Sequence, residues 1–451
     1  MDTVNQEERL NKMLNTPVGI LIMSLGLPSV VINVVTAIYN MADTYFVSYL
    51  GTGAIAGVGV VFPLMAMIQA LGFLFGQGSG NFISRELGAG HGERASEMAA
   101  TGFFSVIIVC AFLGALGVLF INPLARVLGA TATILPYARS YMRFILIGSP
   151  FMAASLVLNT QLRFQGSSFY GMIGMMSGAV LNIILDPLFI FVFHLGVTGA
   201  SLATAISQLA GCAVLLAGCS SRGNIGIDPR QFSPKFSNYK EVLRGGFPSL
   251  LRQCMGSFVT VVINHSAAFY GDAAIAALAI VNRVILTANA ALLGFGQGFQ
   301  PVCGFNYGAG RYDRVKAAFF FCVRFFILLL VLLAAALAVF APQVIGLFRS
   351  DAEVLEIGVR TLRLSCLSLP FLGFIILCNM ALQTMGKAGE ASFLALARQG
   401  LFLLPVLFVL RPLLGLLGIQ LGQPISDTIT FIFSVPLIVR VFRKMDADAA
   451  S

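Results

Sequence analysis

Two aspartates within long apolar segments are the residues of this chain best suited to chemistry inside a membrane. Asp43 stands in YNMADTYFV and Asp186 in LNIILDPLFIF, and Asn182 precedes Asp186 by four residues on one helical face. Thr204 and Asn159 add neutral oxygens from neighbouring apolar segments. A carboxylate at mid-bilayer costs at least about 2.5–3.5 kcal/mol and therefore marks a site by default. The carboxylates could share a proton, or hold Na+ together with Asn182 and Thr204.

Each aspartate also has a structural explanation. Asp43 or Asp186 could lie near the membrane surface or cap a helix, and Pro187 follows Asp186 directly. Asp427 is a third acidic candidate, for which a helix end near the interface is an equal alternative. Ile263 stands opposite Asp43 in the second half of the chain, so the acidic pattern is not repeated there.

The second half instead carries basic and amide residues in its apolar segments. Arg252 and Arg283 could snorkel to the interface or line a water-filled cavity. His265 could titrate, although a satisfied or interfacial histidine is the simpler interpretation. Together with Asn379, the counterpart of Asn159, these residues are the candidates for a cavity in the second half.

The composition excludes a soluble globular enzyme. Hydrophobic residues make up 58% of the 451 residues and charged residues only 10%, against about 45–50% and about 25% in soluble proteins. Because a spanning helix needs about 20 apolar residues, the charge-free runs predict an all-α integral membrane protein with about twelve spans. The predicted spans are 17–45, 53–83, 98–120, 134–160, 168–192, 197–219, 246–269, 273–302, 317–341, 354–383, 391–412 and 418–440.

The distribution of basic residues predicts the orientation. With both termini in the cytoplasm, 17 of the 28 basic residues fall in inner segments and only Arg126, Arg349 and Arg411 fall in outer loops. This bias is the positive-inside signal of a multi-pass protein, here predicted for the cytoplasmic (inner) membrane. The net charge of +9 therefore records topology, and no nucleic-acid partner is needed to explain it.

The chain repeats itself at an offset of 220 residues. FGQG at 75–78 recurs at 295–298, and GAG at 88–90 recurs at 308–310. Six spans separate the copies, so the repeats are parallel, an arrangement common in transporters. The predicted halves are 1–220 and 245–451, joined by a cytoplasmic linker at 221–244. We expect the glycine blocks to serve helix packing rather than phosphate binding, since no strand precedes them.

These motifs together resemble the multidrug and toxic compound extrusion (MATE) family. The resemblance rests on the two repeats, Pro28 in the first span, MADTYFVSYLGTGAIAGVG, and the FGQG–GAG turn with its copy. The set Asp43, Asn182 and Asp186 resembles the damage-inducible-F-like branch, in which an acidic cluster of the N-terminal lobe binds the coupling cation.

This resemblance implies two V-shaped lobes and an antiporter that exports amphipathic, often cationic, organic compounds by alternating access. It carries the cation site onto Asp43, Asn159, Asn182, Asp186 and Thr204, with Tyr39 lining the same cavity and Pro28 allowing span 1 to bend. The coupling ion, H+ or Na+, stays open, and no other cofactor is implied. The expected partners are small organic molecules and the bilayer, and the expected functional unit is a monomer.

Two other functions remain open at this point. A flippase or exporter of a lipid-linked precursor could use the same two-lobe fold, with Arg252 and Arg283 holding a phosphate. An intramembrane lipid-modifying enzyme would need a nucleophile, a base and an orienting group near one membrane face, and the sequence shows no such set. We therefore expect a secondary transporter and no enzymatic activity.

Overall fold

The computed structural model describes residues 3–221, 223–349 and 351–450 and contains twelve helices long and apolar enough to cross a membrane. A helix satisfies its backbone polar groups internally, which lipid requires of any spanning segment. The helices confirm the predicted all-α fold and keep the predicted numbering. Spans 1 to 12 are Val18–Ser48, Thr52–Gly88, Gly92–Leu119, Leu135–Phe164, Ser168–Val192, Gly196–Cys219, Phe236–Ala268, Asp272–Gly308, Tyr312–Val339, Ala352–Thr384, Ala388–Leu414 and Leu416–Ala449.

The largest difference from the sequence prediction lies at the start of span 7. This helix begins at Phe236, so the last part of the predicted linker is helical. The residues before it include the short 3-10 helix Pro229–Gln231. The charged residues Lys240, Glu241 and Arg244 lie at the beginning of this helix. A search for apolar runs therefore does not predict that part. Arg222, counted among the inner basic residues, lies outside the described residues.

Short elements join or interrupt the spans. A helix at Thr3–Asn15 precedes span 1, and the helices Ile121–Val127 and Ala341–Gly346 occupy equivalent loops of the two halves. Span 5 ends in a π-helical segment, Leu188–Val192, and span 11 contains another at Ala397–Leu401. The described residues include no strand.

The backbone repeats at the same offset as the sequence. Spans 2 and 8 have equivalent bounds 220 residues apart, and so do spans 3 and 9. Positive-φ glycines in the turns between spans also recur, as the pairs Gly51 and Gly271, Gly90 and Gly310, and Gly166 and Gly386. Because only glycine adopts this conformation at low cost, each pair preserves one turn in both halves.

The repeated glycines bring helices of the two halves into close contact. A Cβ built on Gly78 of span 2 would lie 2.2 Å from the carbonyl oxygen of Val242 in span 7. In the equivalent crossing, a Cβ on Gly298 of span 8 would lie 2.5 Å from the Cα of Gly26 in span 1. The structure thus confirms that the glycine blocks serve close helix packing.

Polar side chains join the halves at the end of the bundle that carries the N-terminal helix. Thr384 donates its hydroxyl to Asn81 over 2.9 Å, and Arg85 donates to the Thr384 carbonyl over 2.7 Å. Deeper in the membrane, Gln300 donates to Gln77 over 3.3 Å. The charge distribution predicts that this end faces the cytoplasm, and we call it the inner end.

Candidate functional site

The two aspartates singled out in the sequence lie close together in the first half. Asp43 near the end of span 1 is 7% exposed, and Asp186 in span 5 is 0% exposed. Spans 1 and 5 pack against each other, and the two carboxylates lie near enough for their charges to interact. Neither side chain caps a helix, so the capping explanation does not hold.

Hydrogen bonds from spans 4 and 5 hold these carboxylates, and span 6 reaches the group through Asn182. Tyr141 of span 4 donates its hydroxyl to Oδ2 of Asp43 over 3.3 Å. Asn182 donates its amide to Oδ1 of Asp186 over 3.3 Å and lies 3.4 Å from the hydroxyl of Thr204 in span 6. The predicted set therefore comes together, with Tyr141 as an addition.

Several buried oxygens of this group have no hydrogen-bond partner among the described residues. They are Oδ1 of Asp43, Oδ2 of Asp186 and Oδ1 of Asn182. A buried polar atom without a partner is costly and calls for an unseen partner or a functional role. These three oxygens and the Thr204 hydroxyl are hard oxygen donors, so the group has the chemistry to accept protons or to hold a sodium ion.

A cavity of about 150 Å³ lies beside the acidic pair. Tyr39, Asn159, Asn182 and Thr204 all line it, as the sequence predicts, whereas the two aspartates are not among its lining residues. Asn182 and Thr204 therefore connect the buried carboxylates to the open space. Apolar side chains, including Phe73 and Met152, complete a wall suited to an amphipathic molecule.

Sequence reasoning missed two residues of this region. Tyr141 stands in an ordinary stretch of span 4, and nothing in its spacing marks it as the partner of Asp43. Arg163 was counted among the basic residues of the inner segments, but it is 4% exposed and lines the cavity. Its Nε and Nη2 have no hydrogen-bond partner among the described residues, while its guanidinium lies over the ring of Phe164.

The candidates of the second half fall into three different settings. Arg252 donates to Oδ1 of Asn379 over 3.1 Å, and both residues line a cavity of about 440 Å³. Arg283 is exposed and lines an adjacent cavity of about 410 Å³. His265 is exposed, packs edge-on against Phe269, and lines neither cavity.

Asp427 is not near a helix end. It lies inside the helix that begins at Leu416, is 2% exposed, and pairs with Arg398 of span 11 over 2.8 Å. Ser368 and Gln423 also donate to its carboxylate. The second half therefore does hold a buried carboxylate, but a guanidinium neutralises it, unlike the acidic pair of the first half.

Pro28 lies inside the helix of span 1, as the sequence predicts. Proline lacks the N–H that would bond to the preceding turn, which makes this position the natural place for span 1 to bend. Pro248 occupies the equivalent place in span 7.

The MatE family model matches residues 28–188 and again residues 248–409. The chain belongs to the MatE family. The two matches of this MatE chain begin 220 residues apart, the offset found in the sequence and in the backbone. Membership makes it a membrane transporter rather than an enzyme. The finer assignment to the damage-inducible-F-like branch stays a prediction.

Known proteins resemble this MatE chain over almost its whole length. The multidrug export protein MepA of Staphylococcus haemolyticus strain JCSC1435 is 27% identical over 431 residues, which are 95% of each chain. A crystal structure of a MATE protein in the bent conformation has a TM-score of 0.92 and 26% identity, covering 98% of this chain and 99% of that one. The outward-facing conformation of a multidrug resistance MATE family transporter of the MOP superfamily has a TM-score of 0.88 and 26% identity, covering 97% and 98%.

Proposed function

We propose that this transporter is a cation-coupled antiporter that exports amphipathic, often cationic, organic compounds. Entry of H+ or Na+ at Asp43 and Asp186 drives the export. The observation that carries the proposal is the buried acidic pair, whose free oxygens adjoin a cavity lined by Asn182 and Thr204. The family membership and the multidrug export relatives support the substrate class.

Coupling follows from the position of the acidic pair directly behind the wall of the cavity. Two carboxylates that lie close together in a low-dielectric site repel each other, so a cation that neutralises one of them stabilises the site. Cation binding changes the charge and hydrogen bonding beside the cavity. Asn182 transmits that change because it bonds to Asp186 and to Thr204, and both Asn182 and Thr204 line the open space. A substrate that is bound while the acidic pair holds no cation is therefore expelled when the cation binds.

The contacts between the halves support alternating access. Among the described residues, side-chain hydrogen bonds join the halves at the inner end and as far out as Asn33, whose amide donates to the Ala290 carbonyl. None joins them beyond that level. If the inner end faces the cytoplasm, this arrangement is closed to the cytoplasm and open outward, the state in which a coupling cation enters and a substrate leaves.

Bending of span 1 at Pro28 is the proposed conformational step. Span 1 carries Asp43 and Tyr39 on one side of Pro28, while its inner part packs into the core of the second half through Leu21 and Ile22. Cation binding at the acidic pair therefore acts on a helix that packs against both halves of the protein. We place the protein in the cytoplasmic membrane with both termini inside, and we expect a monomer to be sufficient.

The test is dye efflux from proteoliposomes in which a proton gradient and a sodium gradient are imposed separately. The proposal predicts that one inward cation gradient drives efflux of an amphipathic cationic dye and that dissipating this gradient stops it. Each charge that moves inward with the potential contributes about 2.3 kcal/mol per 100 mV. Failure of both gradients to drive any tested dye would contradict cation coupling.

A further inference from the structure

The second half contains an open space with several polar lining residues that the acidic site does not explain. Two adjoining cavities of about 440 Å³ and about 410 Å³ share several lining residues, including Asn289, Arg398 and Gln399. Together they have the size of a site for a drug-sized ligand. We call this space the C-terminal cavity.

Of the residues that the structure describes, two part-buried guanidinium groups but only one carboxylate line the C-terminal cavity. Arg398 pairs with Asp427, the one buried carboxylate that lines it. Arg252 also lines the cavity but reaches only neutral oxygens, those of Asn379 and Ser249. The guanidinium groups of Arg252 and Arg398 lie near enough to repel each other. One part-buried guanidinium therefore lacks a counter-charge among the described residues.

Unpaired amides surround the same space. Oδ1 of Asn289 and Oε1 of Gln399 are buried and have no hydrogen-bond partner among the described residues. Arg398 and Gln399 both lie in the π-helical segment Ala397–Leu401, and such segments are frequent at functional sites. Gly256 leaves the space in front of Gln399 open, since a Cβ there would come within 3.4 Å of Oε1.

We infer that the C-terminal cavity binds the carboxylate of an amphipathic acid or zwitterion through Arg252. An arginine holds a carboxylate with two parallel hydrogen bonds, and burial strengthens both. Asn289 and Gln399 would then serve the polar groups of the same molecule. The inference rests on the proposed function, because it names a second substrate class for the same transporter.

The charge balance favours a monoanion over the dianion of a phosphate monoester. Among the described residues that line the C-terminal cavity, Arg252 is the part-buried guanidinium without an acid partner, and one carboxylate neutralises it. A phosphate ester dianion would leave a net negative charge in a low-dielectric space, at a cost that the exposed Arg283 would offset little. The Arg398–Asp427 pair shows that the same cavity already accommodates one guanidinium–carboxylate pair.

Binding of rhodamine B and of its ethyl ester provides the test. The two dyes share one aromatic body, and only rhodamine B carries a free carboxylate. Fluorescence polarisation with the full chain in phosphatidylcholine nanodiscs measures both affinities, and no ion gradient is needed. The variants are Arg252→Gln, Arg252→Lys and, as a control in a predicted outer loop, Arg126→Gln.

The inference predicts that Arg252→Gln weakens rhodamine B binding about tenfold or more and leaves binding of the ester within about twofold. Arg252→Lys keeps the positive charge but lacks the planar guanidinium. Its affinity for rhodamine B should therefore lie between those of the unmodified chain and Arg252→Gln. If Arg252→Gln does not fold, the same comparison is made with Arg252→Lys, as the ratio of its affinity for rhodamine B to its affinity for the ester. Equal losses for both dyes, or no loss for the acid, would overturn the inference.

A lipid headgroup is the other source of an oxyanion, and a second arm addresses it. Phosphatidylglycerol added to the nanodiscs should leave rhodamine B affinity within about twofold if the cavity takes a soluble carboxylate. A large loss that depends on Arg252 would assign the cavity to a lipid phosphate and contradict the inference. Gradient-driven efflux of the ester by the unmodified chain tests the proposed function separately, so the two failures are distinguishable.

Discussion

The Tyr141 hydroxyl donates a hydrogen bond to Oδ2 of Asp43 over 3.3 Å. Tyr141 is 0% exposed and belongs to span 4, whereas Asp43 belongs to span 1. A helix of the first half thus holds the carboxylate of span 1, whose inner part packs into the core of the second half. Oδ1 of the same carboxylate has no partner among the described residues, which leaves one fixed and one free oxygen.

Removal of the Tyr141 hydroxyl should change how the transporter responds to its ion. The bond stabilises the empty carboxylate by about 0.5–1.5 kcal/mol. Tyr141→Phe should therefore let the cation bind more tightly and lower the ion concentration for half-maximal efflux about two- to tenfold. Efflux at several ion concentrations measures the shift, with the exposed Tyr137→Phe in the same span as the control. An unchanged or raised half-maximal concentration would argue against this role of Tyr141.

The glycine crossing of spans 2 and 7 should be sensitive to a single methyl group. Gly78→Ala would place a Cβ 2.2 Å from the Val242 carbonyl oxygen, and overpacking of this kind costs about 1–3 kcal/mol. Gly59→Ala in the same helix meets nothing within 4 Å and should be neutral or slightly stabilising. Thermal unfolding followed with a thiol-reactive dye would report the difference, because all the described cysteines except Cys254 are buried. Equal melting temperatures for the two variants would contradict the packing argument.

The contributions of Arg398 and Asp427 to the free energy of unfolding should depend on each other. Arg398→Gln or Asp427→Asn alone leaves a buried charge without its partner and should destabilise the protein by about 3–5 kcal/mol. The double variant removes both charges, so its loss should be well below the sum of the two single losses. Additive losses in this double-mutant cycle would mean that the two side chains do not depend on each other.

Restoring a backbone N–H at Pro28 tests the proposed bend of span 1. Pro28→Ala adds a hydrogen bond to the interior of the helix and should slow efflux several-fold while dye binding stays within about twofold. The exposed Pro63 inside span 2 offers a matched control, and Pro63→Ala should leave efflux nearly unchanged. Wild-type efflux in the Pro28 variant would exclude bending at this residue.

The amino-acid sequence predicts the helices well because lipid leaves few alternatives. A long apolar run must form a helix to satisfy its backbone, so the twelve spans and their repeat follow from hydropathy and spacing. The start of span 7 at Phe236 escapes this logic, because the helix continues beyond the apolar run into polar surroundings.

The site is only partly predictable for a different reason. Asn182 and Asp186 are four residues apart, and helical periodicity alone puts them on one face. Tyr141, Arg163 and Arg398 acquire their roles from the packing of separate helices, which spacing along the chain does not encode. Arg163 illustrates this point, since a basic residue at the end of a span predicts a solvated loop, whereas packing buries it beside the cavity.

The central claim is that Asp43 carries the cation that drives export. The most direct measurement compares gradient-driven dye efflux with gradient-free dye binding in proteoliposomes containing the unmodified chain or Asp43→Asn. The amide keeps the shape of the side chain and removes its charge. The account predicts that Asp43→Asn reduces gradient-driven efflux at least about tenfold while dye binding stays within about threefold. Undiminished efflux by Asp43→Asn at equal protein content would contradict it.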